Sequence, residues 1–182
     1  LPDRQESQLP DEALLEASGN GDRQAFGELV RRHQSWAWGV AYRFLGSRDE
    51  SEDIVQAAFI KLLSASARYR RTARFKRFFY IIISRLCLDH AKRKKPGQSD
   101  DYPELADPSP GQEEALIMSQ DAARVRRALD AIPPRQRMAV VLRYYEGLGY
   151  DEMAAVLETS RKGVERLLSR GREAMRKELK SR

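Results

Sequence analysis

Cysteine, histidine and long apolar runs are all scarce in this 182-residue chain, and each scarcity removes a class of function. A single cysteine, Cys87, excludes an internal disulfide framework and fits a reducing compartment. Two histidines, His33 and His90, leave no catalytic constellation in view, and no glycine-rich phosphate loop follows a strand. Cys87 and His90 stand one helical turn apart, which is half a metal site at most, since structural zinc takes four ligands. A partly buried thiol beside a satisfied histidine is the expectation there. No cofactor, no metal and no enzymatic activity are expected. No apolar run approaches the roughly 20 residues of a bilayer span, so no direct membrane insertion is expected. The first residues, LPDRQESQLPDEALLEASGNGD, are acidic and polar and do not read as a signal peptide. The expected location is the cytoplasm.

What the chain does have is charge, in blocks. The net charge of +6 is the sum of a −4 block over residues 1–63, +10 over 64–95, −7 over 96–123 and +7 over 124–182. Two basic blocks separated by an acidic one suggest two contacts with one polyanion, although solvated helix faces can also carry such charge. The density of the +10 block favours nucleic acid.

Helical spacing runs through nearly everything outside residues 96–112. That stretch, PGQSDDYPELADPSPGQ, holds four of the eight prolines, three Asp and no basic residue. Proline spaced so closely cannot continue a helix. The expected fold is all-α: a helical domain over 1–95, a flexible acidic Pro-rich linker over 96–112, and a second helical domain over 113–182. In the first domain, Leu14, Leu15 and Ala17 precede the turn Gly19-Asn20-Gly21, and a long apolar series ends at Gly46. Ser47 and Glu50 form an S-x-x-E capping box, after which Ile54, Val55, Ala58, Phe59 and Leu62 make an apolar stripe. Asp49, Glu52, Asp53 and Gln56 lie off that stripe near the helix start, where carboxylates also complement the helix dipole.

In the second domain a helix over about 113–132 stops at Pro133-Pro134, and Pro134 can open the next one. Met138, Val141, Leu142 and Tyr145 fall on one face of that helix, which Gly147 and Gly149 close. YDEMAAVL and RKGVERLLSRGREAMRKELK then flank a break at Glu158-Thr159-Ser160. Ala154, Leu157, Val164, Leu167 and Leu168 are spaced to pack a helix-turn-helix, whose second helix enters the major groove. Glu158 stands where many such turns have glycine. Arg161, Lys162, Glu165, Arg166, Ser169 and Arg170 project away from the packing face. Arg can donate bidentately to guanine and Glu can accept from cytosine, while other contacts position on phosphates.

The segment ARFKRFFYIIISRLCLDHAKRKK (73–95) sorts on a helical wheel. Phe75, Phe79, Ile82, Ile83 and Leu86 share one side as a buried stripe, with Phe78 at its margin. Arg74, Arg77, Ser84, Arg85, Lys92 and Lys95 gather opposite, interrupted by Ile81 and Leu88. Basic residues at the carboxyl end suit the dipole; Arg74 and Arg77 near the helix start require a compensating anion.

Taken in order, GDRQAFGELVRRH, SEDIVQAAFIKLL, FKRFFYIIISRLCLDHAKRKK and IPPRQRMAVVLRYYEGLGYDEMAAVLETSRKGVERLLSRGR resemble the extracytoplasmic-function (ECF, group 4) sigma factors of bacterial RNA polymerase, in the sigma-70 family. The resemblance implies a protein that binds core RNA polymerase, recognises promoter DNA and starts transcription of a small signal-responsive regulon. An anti-sigma factor, commonly membrane-anchored, would hold such a protein inactive. Asp49, Glu52, Asp53 and Gln56 would dock on core polymerase. Arg68, Arg70, Arg71, Arg74, Arg77, Phe78, Ser84, Arg85 and Lys92 would bind the −10 element as a separated strand. Arg161, Lys162, Glu165, Arg166, Ser169 and Arg170 would read the −35 duplex. The chain departs from the family pattern at Phe78-Phe79, where a Trp-Leu pair is usual, and at Arg85, often Asn. Gly163-Val164-Glu165-Arg166-Leu167 replaces the common Thr-Val-Lys-Ser-Arg run, so no family promoter consensus carries over. A stand-alone helix-turn-helix regulator on duplex operator DNA, or an RNA binder using the basic aromatic helix, are the alternatives.

Overall fold

The structure, a computed structural model, describes residues 9–69, 74–93 and 112–180. Arg70, Arg71, Lys95 and nearly all of the expected linker lie outside the described residues. Among those described, all regular structure is helical.

Helix α1 (Asp11–Gly19) leads into α2 (Arg23–Leu45), whose first turn is capped by Asp22, its carboxylate accepting from the Gln24 and Ala25 N–H groups at 2.9 and 3.0 Å. Gly46, at φ +77°, closes α2 in the left-handed conformation that glycine adopts without steric cost. Helix α3 (Arg48–Ser66) opens on Ser47, whose hydroxyl accepts from Glu50 N–H at 3.4 Å. The Glu50 carboxylate lies 3.2 Å from His90 Nε2. Helix α4 (Phe75–Arg93) starts against α1, with the Glu12 carboxylate accepting the Phe75 N–H at 2.9 Å. Glu12 thus places a carboxylate of the same domain at this helix start. Leu29, Phe44, Leu62, Phe75, Phe79 and Ile83 are fully enclosed between these helices, and the Phe79 ring lies 5.0 Å from Phe59 and 5.6 Å from Phe75.

The second domain begins with α5 (Gln112–Ala131), followed by α6 (Pro134–Val140) with Pro134 at its first position. The chain then widens into a π-helical turn over Val141–Tyr145. Glu146 N–H bonds the Val141 carbonyl at 3.2 Å and Leu148 N–H bonds that of Leu142 at 3.0 Å. This extra width turns Tyr145 off the face shared by Met138, Val141 and Leu142, so Tyr145 is exposed although regular spacing would bury it. Helices α7 (Tyr150–Val156) and α8 (Arg161–Lys180) form the helix-turn-helix around Met153, Leu157, Val164 and Leu168. Glu158 in the turn takes φ +50°, a left-handed conformation unusual for a residue with a Cβ. Gly163 packs closely nearby: a Cβ there would stand 2.2 Å from Thr159 Oγ1, so the Thr159 side chain would have to move.

The two domains are packed together. One apolar cluster runs from the first domain through Ile81 and Leu88 of α4 to Met138, Leu142, Met153 and Leu157 of the second. Helix α4 is consequently buried on two sides. Phe75, Phe79 and Ile83 face their own core, while Ile82 and Leu86, placed on the same stripe by spacing, are only half-buried. Tyr80, Ser84 and Leu88 are buried instead, on the side that the second domain packs against.

Candidate nucleic-acid and polymerase interface

The acidic face of α3 is open. Asp49, Glu52, Asp53 and Gln56 are all exposed, and Glu52 is paired with Arg48 at 3.1 Å. Between α2 and α3 runs a groove of about 690 Å³ whose walls include Val30, Trp38, Val55 and Phe59, with Glu52 and Gln56 at its side. Trp38 is stacked on Tyr42 at 4.7 Å along this flank. The rim of this apolar groove carries the amides Gln34 and Gln56 and the Arg48–Glu52 pair, polar groups that a docking helix can meet.

The basic residues assigned to a separated strand have a mixed fate. Arg68, Arg74 and Arg77 are exposed, and Lys92 is exposed but paired with Asp89 at 3.0 Å. Phe78 is half-buried, its ring 5.5 Å from Tyr69. Arg85 is ion-paired with Glu158 of the helix-turn-helix turn. Ser84 departs most from expectation: it is completely buried and its hydroxyl has no hydrogen-bond partner. Its position between Tyr80 and Leu88, each one turn away on the covered side of α4, is the physical reason.

On α8 the expected reading residues Arg161, Lys162, Glu165, Arg166, Ser169 and Arg170 are all exposed along one side. Arg161 is held loosely, 3.4 Å from Asp151, 3.8 Å from Glu165 and with its guanidinium 5.6 Å from the Tyr150 ring centre. Its neighbours on the helix project into solvent, as a groove-entering helix must.

Four residues that spacing alone did not single out join the domains. Glu146, just after the π turn, enters the first domain with its side chain 6% exposed. There its Oε1 accepts from Arg43 at 2.8 Å, and its Oε2 accepts from Trp36 Nε1 at 3.0 Å and the Tyr80 hydroxyl at 2.8 Å. Burial, and then the hydrogen bond to this carboxylate, push the Tyr80 phenol further up, so it remains a donor. At a second joint Arg126 and Arg137 reach the last carbonyls of α2. Arg126 donates to Arg43 O at 2.8 Å and Phe44 O at 3.2 Å, and Arg137 to Phe44 O at 3.0 Å. Cations at a helix carboxyl end oppose its dipole and occupy its free acceptors. Asp130 pairs with both arginines. Burial pulls the Arg137 guanidinium down, and the Asp130 charge opposes that.

No group of three or more His, Cys, Asp or Glu side chains among the described residues could hold a metal ion. Cys87 is fully buried, which pushes its thiol up to about 12 and keeps it protonated. No helix among the described residues is long and apolar enough to cross a membrane.

Comparison with known proteins decides the family. Residues 29–96 match Sigma-70 region 2, and residues 122–175 match Sigma-70, region 4. RNA polymerase sigma-H factor of Pseudomonas aeruginosa is 30% identical over 95% of this chain and 95% of its own length. ECF RNA polymerase sigma-E factor of Escherichia coli is 31% identical over 92% of this chain and 93% of its own length. The chain belongs to the ECF sigma factors. It is thus a transcription initiation factor of the sigma-70 family, and the stand-alone regulator is not favoured, because the region 2 match covers most of the first domain. Among solved structures, CnrH in complex with the cytosolic domain of CnrY superposes with TM-score 0.70 at 23% identity, covering 94% of this sigma factor and 97% of that chain. The sigma factor RpoE in complex with the anti-sigma factor NepR from Bartonella quintana gives 0.62 at 16% identity, over 85% and 96%. Both likenesses concern the fold.

Proposed function

We propose that this sigma factor docks on core RNA polymerase through the α2–α3 groove and the acids Asp49, Glu52 and Asp53 with Gln56. Promoter strand would be held by Arg68, Arg74, Arg77, Phe78, Arg85 and Lys92, together with Arg70 and Arg71, which lie outside the described residues. Arg161, Lys162, Glu165, Arg166, Ser169 and Arg170 would read the upstream duplex from the major groove. The observation that carries this reading is the separation of charge on one chain, with an open acidic face on α3, a basic face on α4 and a second basic face on α8. It acts, in this reading, in the cytoplasm under an anti-sigma factor, as the complexes of CnrH and RpoE suggest.

The test is transcription in vitro from the source genome's promoters with core polymerase and no other sigma factor. Promoter-specific transcripts are expected, and their absence from every promoter of that genome would sink the reading. Charge reversal at Asp53, an exposed side chain, should weaken co-purification with polymerase and leave the circular dichroism unchanged.

A further inference from the structure

Glu146 reaches its three partners as an anion enters a receptor. Trp36 and Arg43 carry donors only, and Tyr80 is held in its protonated form. One oxygen of the carboxylate is taken by the guanidinium and the other by the indole and phenol, at 2.8–3.0 Å. Lys76 adds positive charge 5.7 Å from the Trp36 ring centre. Tyr80 is three residues from Arg77 and four from Ser84, so the socket borders the basic side of α4. Between one and two turns along the same helix, a second acid of the second domain, Glu158, occupies Arg85.

A glutamate carboxylate and a phosphodiester share the features this socket reads: one negative charge and two equivalent acceptor oxygens. Opened, the socket would present an uncompensated guanidinium, with Lys76 nearby, beside a helix whose one acid after its first turn is Asp89. A nucleic-acid strand would answer that need better than a single acidic side chain, because exposed Arg77 and Arg74 on the same helix could take its next phosphates. We propose that Trp36, Arg43 and Tyr80 form a binding site for a backbone phosphate of promoter DNA, and that Glu146 fills it as a surrogate in the free protein. The proposal rests on the sigma-factor reading of α4 and extends it to two residues of α2. Closure is then competitive: the helix-turn-helix domain and the promoter strand exclude each other at one socket.

The experiment uses the full chain as wild type, Glu146→Ala, Glu146→Ala with Tyr80→Phe, and Glu146→Ala with Arg43→Ala. Circular dichroism confirms folding, and energy transfer between dyes on the two domains reports opening. The probe is a short fluorescein-labelled single-stranded oligodeoxynucleotide of mixed sequence, read by anisotropy over a salt series. Glu146→Ala is expected to open the chain and bind the probe about tenfold tighter, the scale of a charge-assisted hydrogen-bonded contact. Its salt dependence should steepen by about 0.7 in the log–log slope, as for one more neutralised phosphate on a single strand. Either second substitution should cancel most of that gain in a chain that stays open, and a neutral methylphosphonate probe should show no gain at all. The proposal is overturned by an open Glu146→Ala chain with unchanged affinity, by a gain that survives both second substitutions, or by a chain that stays closed. Displacement of the gained binding by a poly-glutamate peptide as effectively as by DNA would overturn it in favour of an acidic protein partner. Failure here with promoter-specific transcription intact leaves the sigma-factor reading standing, whereas loss of transcription by the wild type removes that reading itself.

Discussion

Helices α4 and α8 are both basic and both proposed to meet DNA, yet only α8 has that side wholly uncovered. Every expected reading residue of α8 is exposed, and the helix keeps one apolar side for Val164 and Leu168. Helix α4 is buried twice, by its own core through Phe79 and by the second domain through Tyr80, Ser84 and Leu88. Arg85 is paired across the boundary as well. The α8 face is thus displayed, while α4 is covered along Tyr80, Ser84 and Leu88 and keeps Arg74 and Arg77 exposed. Separating the domains would add the covered side of α4 to what a melted strand could reach, which suits a subunit meant to act on polymerase.

The contrast can be broken from the α4 side first. Phe79→Ala removes a fully buried ring from the centre of the first domain and should cost about 3–5 kcal/mol of stability, read by urea unfolding. Arg137→Ala acts on the joint rather than the core. It leaves the Phe44 carbonyl and Asp130 short of a donor, and should cost about 1–3 kcal/mol while raising the interdomain distance. Arg166→Ala on the displayed helix sharpens the difference: unfolding should stay within about 0.5 kcal/mol of wild type. Binding of the holoenzyme to its own promoter should nevertheless weaken by about 1–3 kcal/mol if the side chain contacts a base.

The smallest effect is one of pH. Burial holds the His33 imidazole below its ordinary value, although Asp11, 2.8 Å from its Nε2, pulls the other way. The folded state therefore binds this proton less readily than the unfolded chain does. Stability should be level above about pH 6.5 and fall as the pH drops through the ordinary histidine range toward the lower folded value. His33→Gln should flatten that fall in thermal melts between pH 5 and 8.

Much of this was legible in the sequence because it depends on local chemistry. Ser47, Gly46 and Pro134 mark helix ends through hydrogen bonds and dihedral limits that neighbouring residues decide. Phe75, Phe79 and Ile83 announce a buried stripe by spacing alone, and the exposed arginines of α8 follow from the opposite face of Val164 and Leu168. The glycine-like place of Glu158 was also visible, and its left-handed φ agrees. What escaped depends on the meeting of distant segments. Ile81 and Leu88 interrupted the basic face of α4, which was the available sign that something apolar covers it, but nothing local names the cover. The π turn at Val141–Tyr145 has no spacing signature, yet it directs Tyr145 outward and precedes the glutamate that enters the first domain. Ser84 was placed with the strand-binding residues because a wheel shows one helix at a time.

The central claim is that the α4 face is covered in the free chain and uncovered in the initiating complex. Cysteines introduced by Lys61→Cys and Lys177→Cys, both exposed positions, can carry spin labels, while buried Cys87, its thiol held protonated, stays unlabelled. The distance between them should be narrowly distributed in the free protein, and should change clearly when core polymerase and promoter DNA are added. An unchanged distance in a complex that is making transcript would contradict the account.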